Sequence, residues 1–133
     1  MTPDPVLVRR IIAFCFPLGA IGHFWWVAKH GLLYHGPAPA WAVWFWYGLC
    51  AVDFVVCALL LTRPRPGLIL AVATMIVSLS VNWLCFPTFE NGSNLVLVGL
   101  TIFGLGLFAA TPWLWRSLGD EGPWRTERDS NPR

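Results

Sequence analysis

The sequence predicts an all-α integral membrane protein, a four-helix bundle with both termini cytoplasmic, and three observations carry that prediction. Hydrophobic residues make up 56% of the 133-residue chain and charged residues only 12%, a balance suited to a hydrocarbon solvent. Lys, Arg and Glu are absent from four windows, residues 11–28, 31–62, 66–89 and 91–115, and each window can hold a spanning helix of about 20 residues. The basic residues alternate in side. Arg9 and Arg10 precede the first window, Arg63 and Arg65 separate the second from the third, and Arg116 follows the fourth, with Lys29 alone on the opposite side. The positive-inside rule then puts both termini in the cytoplasm of a multi-pass protein of the cell membrane, the inner membrane in a bacterium. Backbone in lipid must satisfy its own hydrogen bonds, and no barrel-like alternation is present, so the spans are helical.

Helix one is expected at residues 7–29. Arg9 and Arg10 ahead of an apolar run resemble a secretory signal, but the run continues through Phe24, Trp25, Trp26 and Val27 without an A-x-A-like cleavage site. Pro17 should kink this helix or free the carbonyl of Ala13. At 3.6 residues per turn, Cys15, Gly19, Gly22, His23, Trp26 and His30 share one stripe. The following link, with His35, Gly36, Pro37 and Pro39, reads as a short cap at the outer interface.

Helix two, residues 41–62, gathers Trp46, Cys50, Asp53 and Cys57 on one face. Helix three, residues 67–86, gathers Thr74, Ser78, Asn82 and Cys85, with Ser80 elsewhere. Helix four, residues 93–115, offers Gly99, Phe103, Gly106 and Ala110, with Asn94 above them. Pro87 and Pro112 read as helix stops. Small and polar faces turn toward other helices in lipid, so one inward seam per helix makes a bundle. Residues 1–116 form a single transmembrane domain. The tail, residues 117–133, is too short and too rich in charge, Gly and Pro to fold alone, and reads as a disordered cytoplasmic segment.

Asp53 is the only carboxylate within the four expected spans. An acid at that depth is expensive unless it has a partner or a task. His23 falls about two turns below the outer end of helix one, Asn82 about one turn below the outer end of helix three, and Asp53 near the middle of helix two. These three can line one ligand-binding cavity in the outer half, with Trp26 and Trp46 as walls and His30, Glu90 and Asn94 at the rim. The cytoplasmic half carries little besides Thr74 and Ser78. Of nine tryptophans, Trp25, Trp26, Trp41, Trp44, Trp46 and Trp83 all fall near outer helix ends. That is more than interfacial anchoring needs, although a belt is the simpler reading. For Asp53 the simpler reading is an interhelical hydrogen bond to His23 or Asn82, worth about 0.6–2 kcal/mol in a membrane. A His on an apolar helix is often just a satisfied donor, Asn82 suits a bundle clamp, and His30 and His35 suit the interface.

Other chemistries find weaker footing. Cys15, Cys50, Cys57 and Cys85 include no C-x-x-C pair, so a disulfide-relay enzyme lacks its motif, though Cys50 and Cys85 share the outer half. All three His lie between residues 23 and 35, which does not supply facing haem ligands, and no paired motif favours a metal. Gly104-x-Gly106 is too short for a nucleotide loop and reads as helix packing. No cofactor is implied, and a net charge of +2 gives no reason to invoke nucleic acid.

Pro39-Ala40-Trp41 opening helix two, Asp53 within it, and Thr74 and Phe89-Glu90 around helix three carry a resemblance. With its compact four-helix topology the chain resembles the DoxX-like proteins and, more distantly, the EXPERA group that includes sterol isomerases and related ligand-binding receptors. The resemblance implies an acid-lined cavity that takes a sterol-like or cationic amphipath. The chain departs from that pattern in carrying no His on helix three and no second buried acid.

The leading expectation is a small polytopic membrane protein whose outer-leaflet polar cavity binds a small apolar or amphipathic ligand such as a lipid, quinone or sterol-like molecule. An enzyme is the rival, either an isomerase using Asp53 and His23 as acid and base or the membrane subunit of a quinone-linked oxidoreductase with a separate partner subunit. A purely structural bundle would tolerate Asp53→Leu. Transport would call for a symmetric homodimer with a path between protomers.

Overall fold

The computed structural model describes residues 3–32, 38–85 and 93–120, and all regular structure among them is helical. Four helices follow one another: α1 Pro5–His30, α2 Ala40–Thr62, α3 Pro64–Cys85 and α4 Ser93–Asp120. Each is long and apolar enough to cross a membrane.

Local chemistry explains the boundaries. Asp4 caps α1 by accepting a hydrogen bond from the Val6 N–H at 3.0 Å, and Pro5 takes the first helical position, where its missing N–H costs nothing. The helix therefore starts two residues ahead of the expected Leu7. It ends at Gly31, whose φ of +87° belongs to the region that suits glycine. Arg63 precedes a proline, which disfavours helical backbone, and it sits at φ −136°, ψ 75°. Hence α2 must end at Thr62. Pro64 and Pro66 then occupy the first turn of α3, where proline is tolerated, so α3 begins three residues before the expected Gly67.

The reading of Pro112 as a stop is corrected: α4 passes through it to Asp120, taking Ser117 to Asp120 out of the expected tail. Proline in place removes the hydrogen bond to the Phe108 carbonyl, while the Thr111 hydroxyl donates to Leu107 O at 2.7 Å beside it. Pro87 lies outside the described residues.

The helices pack in order, α1 on α2, α2 on α3, α3 on α4, and α1 meets α4 over a shorter stretch than these, where Phe16 and Phe103 rings cross edge to face at 5.8 Å. Gly67 sets the α2–α3 hairpin: a β-carbon there would stand 2.5 Å from the Leu60 nitrogen and 2.6 Å from the Leu59 carbonyl carbon. Two side-chain bridges tie α3 to α4. Trp83 Nε1 donates to Thr101 Oγ1 at 3.2 Å, and at the other end Arg65 donates to Leu118 O at 3.4 Å. The Arg65 guanidinium also lies 6.0 Å from the Trp115 ring.

The inward faces differ from expectation on the two helices that close the bundle. On α2, Cys50, Asp53 and Cys57 are buried and Trp46 is half-buried, and on α3 so are Thr74, Ser78 and Cys85 with Asn82 half-buried. On α1, however, the buried residues are Ile12, Ala13, Phe16 and Ala20, with Gly19 and Gly22 exposed and Cys15, His23 and Trp26 half-buried. The small-residue stripe is turned to a flank. On α4 the core is Leu97, Gly104, Leu107, Leu114 and Leu118, while Gly99 and Gly106 are exposed. Gly104 is the packing glycine, since a β-carbon there would lie 2.7 Å from Leu79 Cδ1, whereas one at Gly106 would meet nothing within 4 Å.

Candidate functional site

Asp53 sits at the centre of the buried face of α2, flanked by Leu49, Cys50, Val56, Cys57 and Leu60. It is 7% exposed. Its carboxyl reaches α1, where a β-carbon on Gly19 would stand 3.3 Å from Oδ2, and one residue on, the Cys50 thiol lies 3.9 Å from Ala20 O. Gly19 itself is exposed. Among the described residues, no group donates a hydrogen bond to Asp53.

Helix arithmetic builds the rest in layers. Trp26 follows Gly19 by seven residues and Trp46 precedes Asp53 by seven. In an antiparallel pair both steps run the same way, about 10 Å toward the end where α1 finishes and α2 begins. Trp26 and Trp46 are both half-buried there, while Trp25, Trp41, Trp44 and Trp83 are exposed. His23 falls between, one turn from Gly19 on the same flank and half-buried.

The same arithmetic sets the level of Thr74 and Ser78 relative to Asp53. Leu60 meets Gly67, so Asp53 and Thr74, each seven residues further from that contact, share a level. Ser78 then lies one turn nearer the tryptophans. These are the buried polar residues of the described chain, with Thr74 8% and Ser78 7% exposed.

Their hydroxyls are also distinct in bonding. Thr62, Ser80, Thr101 and Thr111 each donate to the carbonyl four residues back, at 2.7–2.8 Å. Thr74 and Ser78 donate no hydrogen bond among the described residues. Ser78 Oγ accepts one, from Asn82 Nδ2 at 3.4 Å, and the same nitrogen donates to Ser78 O at 2.7 Å.

The sequence-derived set is thus partly assembled. Asp53, His23, Trp26 and Trp46 lie along the α1–α2 seam, while the Asn82 amide nitrogen is engaged by its own helix. No hydrogen bond joins Asp53 to His23 or Asn82 among the described residues. Glu90 and His35, and the side chains of His30 and Asn94, lie outside the described residues. No disulfide joins Cys50 and Cys85. Among the described residues no three His, Cys, Asp or Glu side chains gather as they would around a metal ion. Compared with known protein families, curated proteins and solved structures, the chain matches none.

Proposed function

We propose that this chain is a multi-pass membrane protein with both termini cytoplasmic, and that the half of its bundle away from the arginines binds a small amphipathic molecule. Asp53 is the polar anchor. Trp26 and Trp46 wall the site, His23 and Asn82 flank it, and His30, Glu90 and Asn94 belong to its rim. Arg9, Arg10, Arg63, Arg65 and Arg116 at one end of the helices support the orientation.

One observation carries the ligand reading: a buried carboxyl with no donor among the described residues, ending beside the exposed backbone of Gly19. A structural acid would clamp two helices by a hydrogen bond. An acid at helix centre that does not do so costs about 2.5–3.5 kcal/mol, and such costs persist where the group has a task. The likeness to the DoxX-like and EXPERA groups points the same way. Shape and few polar contacts imply modest affinity.

Tryptophan fluorescence in phosphatidylcholine vesicles, titrated with a long-chain alcohol, a long-chain amine and a ubiquinone analogue, tests this. At least one should change the emission saturably, and Asp53→Asn should abolish that change. No saturable response, or one indifferent to Asp53→Asn, overturns the reading.

A further inference from the structure

The arginines specify more than an orientation. Of nine basic residues Lys29 is the single lysine, and it lies where α1 finishes, whereas Arg9, Arg10, Arg63, Arg65 and Arg116 stand at the other end of the helices. Orientation asks only for positive charge, which lysine supplies as well as arginine. Phosphate recognition asks for the planar guanidinium fork. Three of these arginines come together where α3 starts and α4 ends. Arg65 donates to Leu118 O at 3.4 Å, lies 6.0 Å from the Trp115 ring, and has its Nη2 3.7 Å from where a β-carbon on Gly119 would stand. Its guanidinium is thus held against the last turns of α4, with one of its five N–H donors engaged among the described residues. Arg116 follows Trp115 and shares a helical turn with Leu118. Arg63 is the single residue between α2 and α3, and its backbone is fixed on both sides, by its N–H on Leu59 O at 2.7 Å and by the Gly67 N–H on its own carbonyl at 3.0 Å. All three arginines are exposed, and the side chains of Arg63 and Arg116 make no hydrogen bond or ion pair among the described residues. Asp4, the acid whose side chain is described at this end, is engaged in capping α1.

We propose that the foot of the α3–α4 pair, with Arg63, Arg65 and Arg116 beside Trp115, is a docking surface for the phosphodiester headgroup of an anionic phospholipid. It rests on the membrane-spanning part of the reading above and is independent of the Asp53 site. The charge is complementary: three guanidinium groups answer a headgroup whose phosphate carries no compensating cation, while phosphatidylcholine brings a cation of its own to an already positive surface. Basic clusters at the cytoplasmic ends of spanning helices hold anionic headgroups in this way. Position selects a lipid over a soluble phosphate. Trp115, 43% exposed, puts an indole at headgroup level, and exposed apolar side chains of the same two helices, Ile69 and Leu105 among them, offer contact to acyl chains that a free anion lacks.

The test is to reconstitute the full chain into vesicles of equal parts phosphatidylglycerol and phosphatidylcholine, extract it gently in detergent, and count the retained lipids by mass spectrometry. The chain should retain phosphatidylglycerol at least about fivefold over phosphatidylcholine, the worth of one arginine near an anionic headgroup. Arg63→Gln combined with Arg116→Gln should bring the two lipids to parity, and Lys29→Gln, a charge lost at the other end, should leave the preference unchanged. Arg63→Lys combined with Arg116→Lys, which keeps charge, orientation and folding but removes the fork, should lose most of it. Full preference in that lysine variant would show the arginines acting as charge alone and overturns the surface. Displacement of the phosphatidylglycerol by glycerol phosphate overturns it too, since a free anion would then be the ligand. Equal retention of both lipids by a chain that still floats with the vesicles overturns this surface alone, and a chain that floats with neither lipid overturns the membrane reading as well.

Discussion

Gly19 and Asp53 meet across the α1–α2 seam so closely that a single added β-carbon on the glycine would stand 3.3 Å from the carboxyl oxygen. Gly19 is exposed and Asp53 is buried, so a side chain added at position 19 would stand directly beside the carboxyl. Any larger residue at position 19 becomes a lid.

Gly19→Leu should therefore close the approach to Asp53 without touching the acid itself. Saturable ligand response in the fluorescence titration should weaken about tenfold, equivalent to about 1.4 kcal/mol. Gly19→Ala, whose methyl is just short of ordinary contact, should fall between the two. An unchanged response in Gly19→Leu, with helicity retained by circular dichroism, would mean that ligand reaches the acid by another route.

Asp53→Leu separates function from stability. Replacing a mid-span carboxyl that has no hydrogen-bond donor by an apolar side chain should raise stability in detergent, by about 2 kcal/mol, while erasing the ligand response. Thermal unfolding followed by circular dichroism reads the first effect. A loss of stability of similar size would show that the carboxyl is holding helices together instead.

Two packing glycines should respond unequally to alanine. At Gly67 the obstacle is backbone, the Leu60 nitrogen and the Leu59 carbonyl carbon, and α2 and α3 must part to admit a methyl. At Gly104 the nearest atoms are the ends of Leu79 and Met75, side chains that can change rotamer. Gly67→Ala should cost about 1–3 kcal/mol and Gly104→Ala clearly less, again by thermal unfolding. Equal costs would refute the hairpin register from which the level of Thr74 is derived.

Arg65 links the start of α3 to the last turn of α4 through Leu118 O and the Trp115 ring. Cations at a helix C-terminus add about 0.3–1 kcal/mol. Arg65→Gln should speed amide hydrogen exchange in residues 114–119 and shift Trp115 emission, with little effect on ligand response. Exchange unchanged in that segment would discount the bridge.

The legible and illegible parts of this fold follow from the solvent. Core and lipid are equally apolar, so leucine marks neither: Leu107 and Leu114 are buried in α4 while Leu95 and Leu105 are exposed. The face of α2 could be read because it packs on both neighbours and carries Asp53, which has one affordable direction. The faces of α1 and α4, which meet each other over a short stretch, could not, and small residues there drift to the flank. Thr74 was legible as polar and inward, whereas the start of α3 at Pro64 was not, because prolines in a first helical turn carry no apolar period to announce them. Asn82 had the right face, yet no spacing rule announces that its amide would bond Ser78 one turn back.

The central claim is that the Asp53 carboxyl itself takes the hydrogen bond of a bound amphipath. Infrared difference spectroscopy on adding the long-chain alcohol to the reconstituted protein tests it most directly. A carboxyl band that shifts on binding and is missing from Asp53→Asn is the predicted result; a saturable tryptophan response with no Asp53-dependent carboxyl band would contradict it.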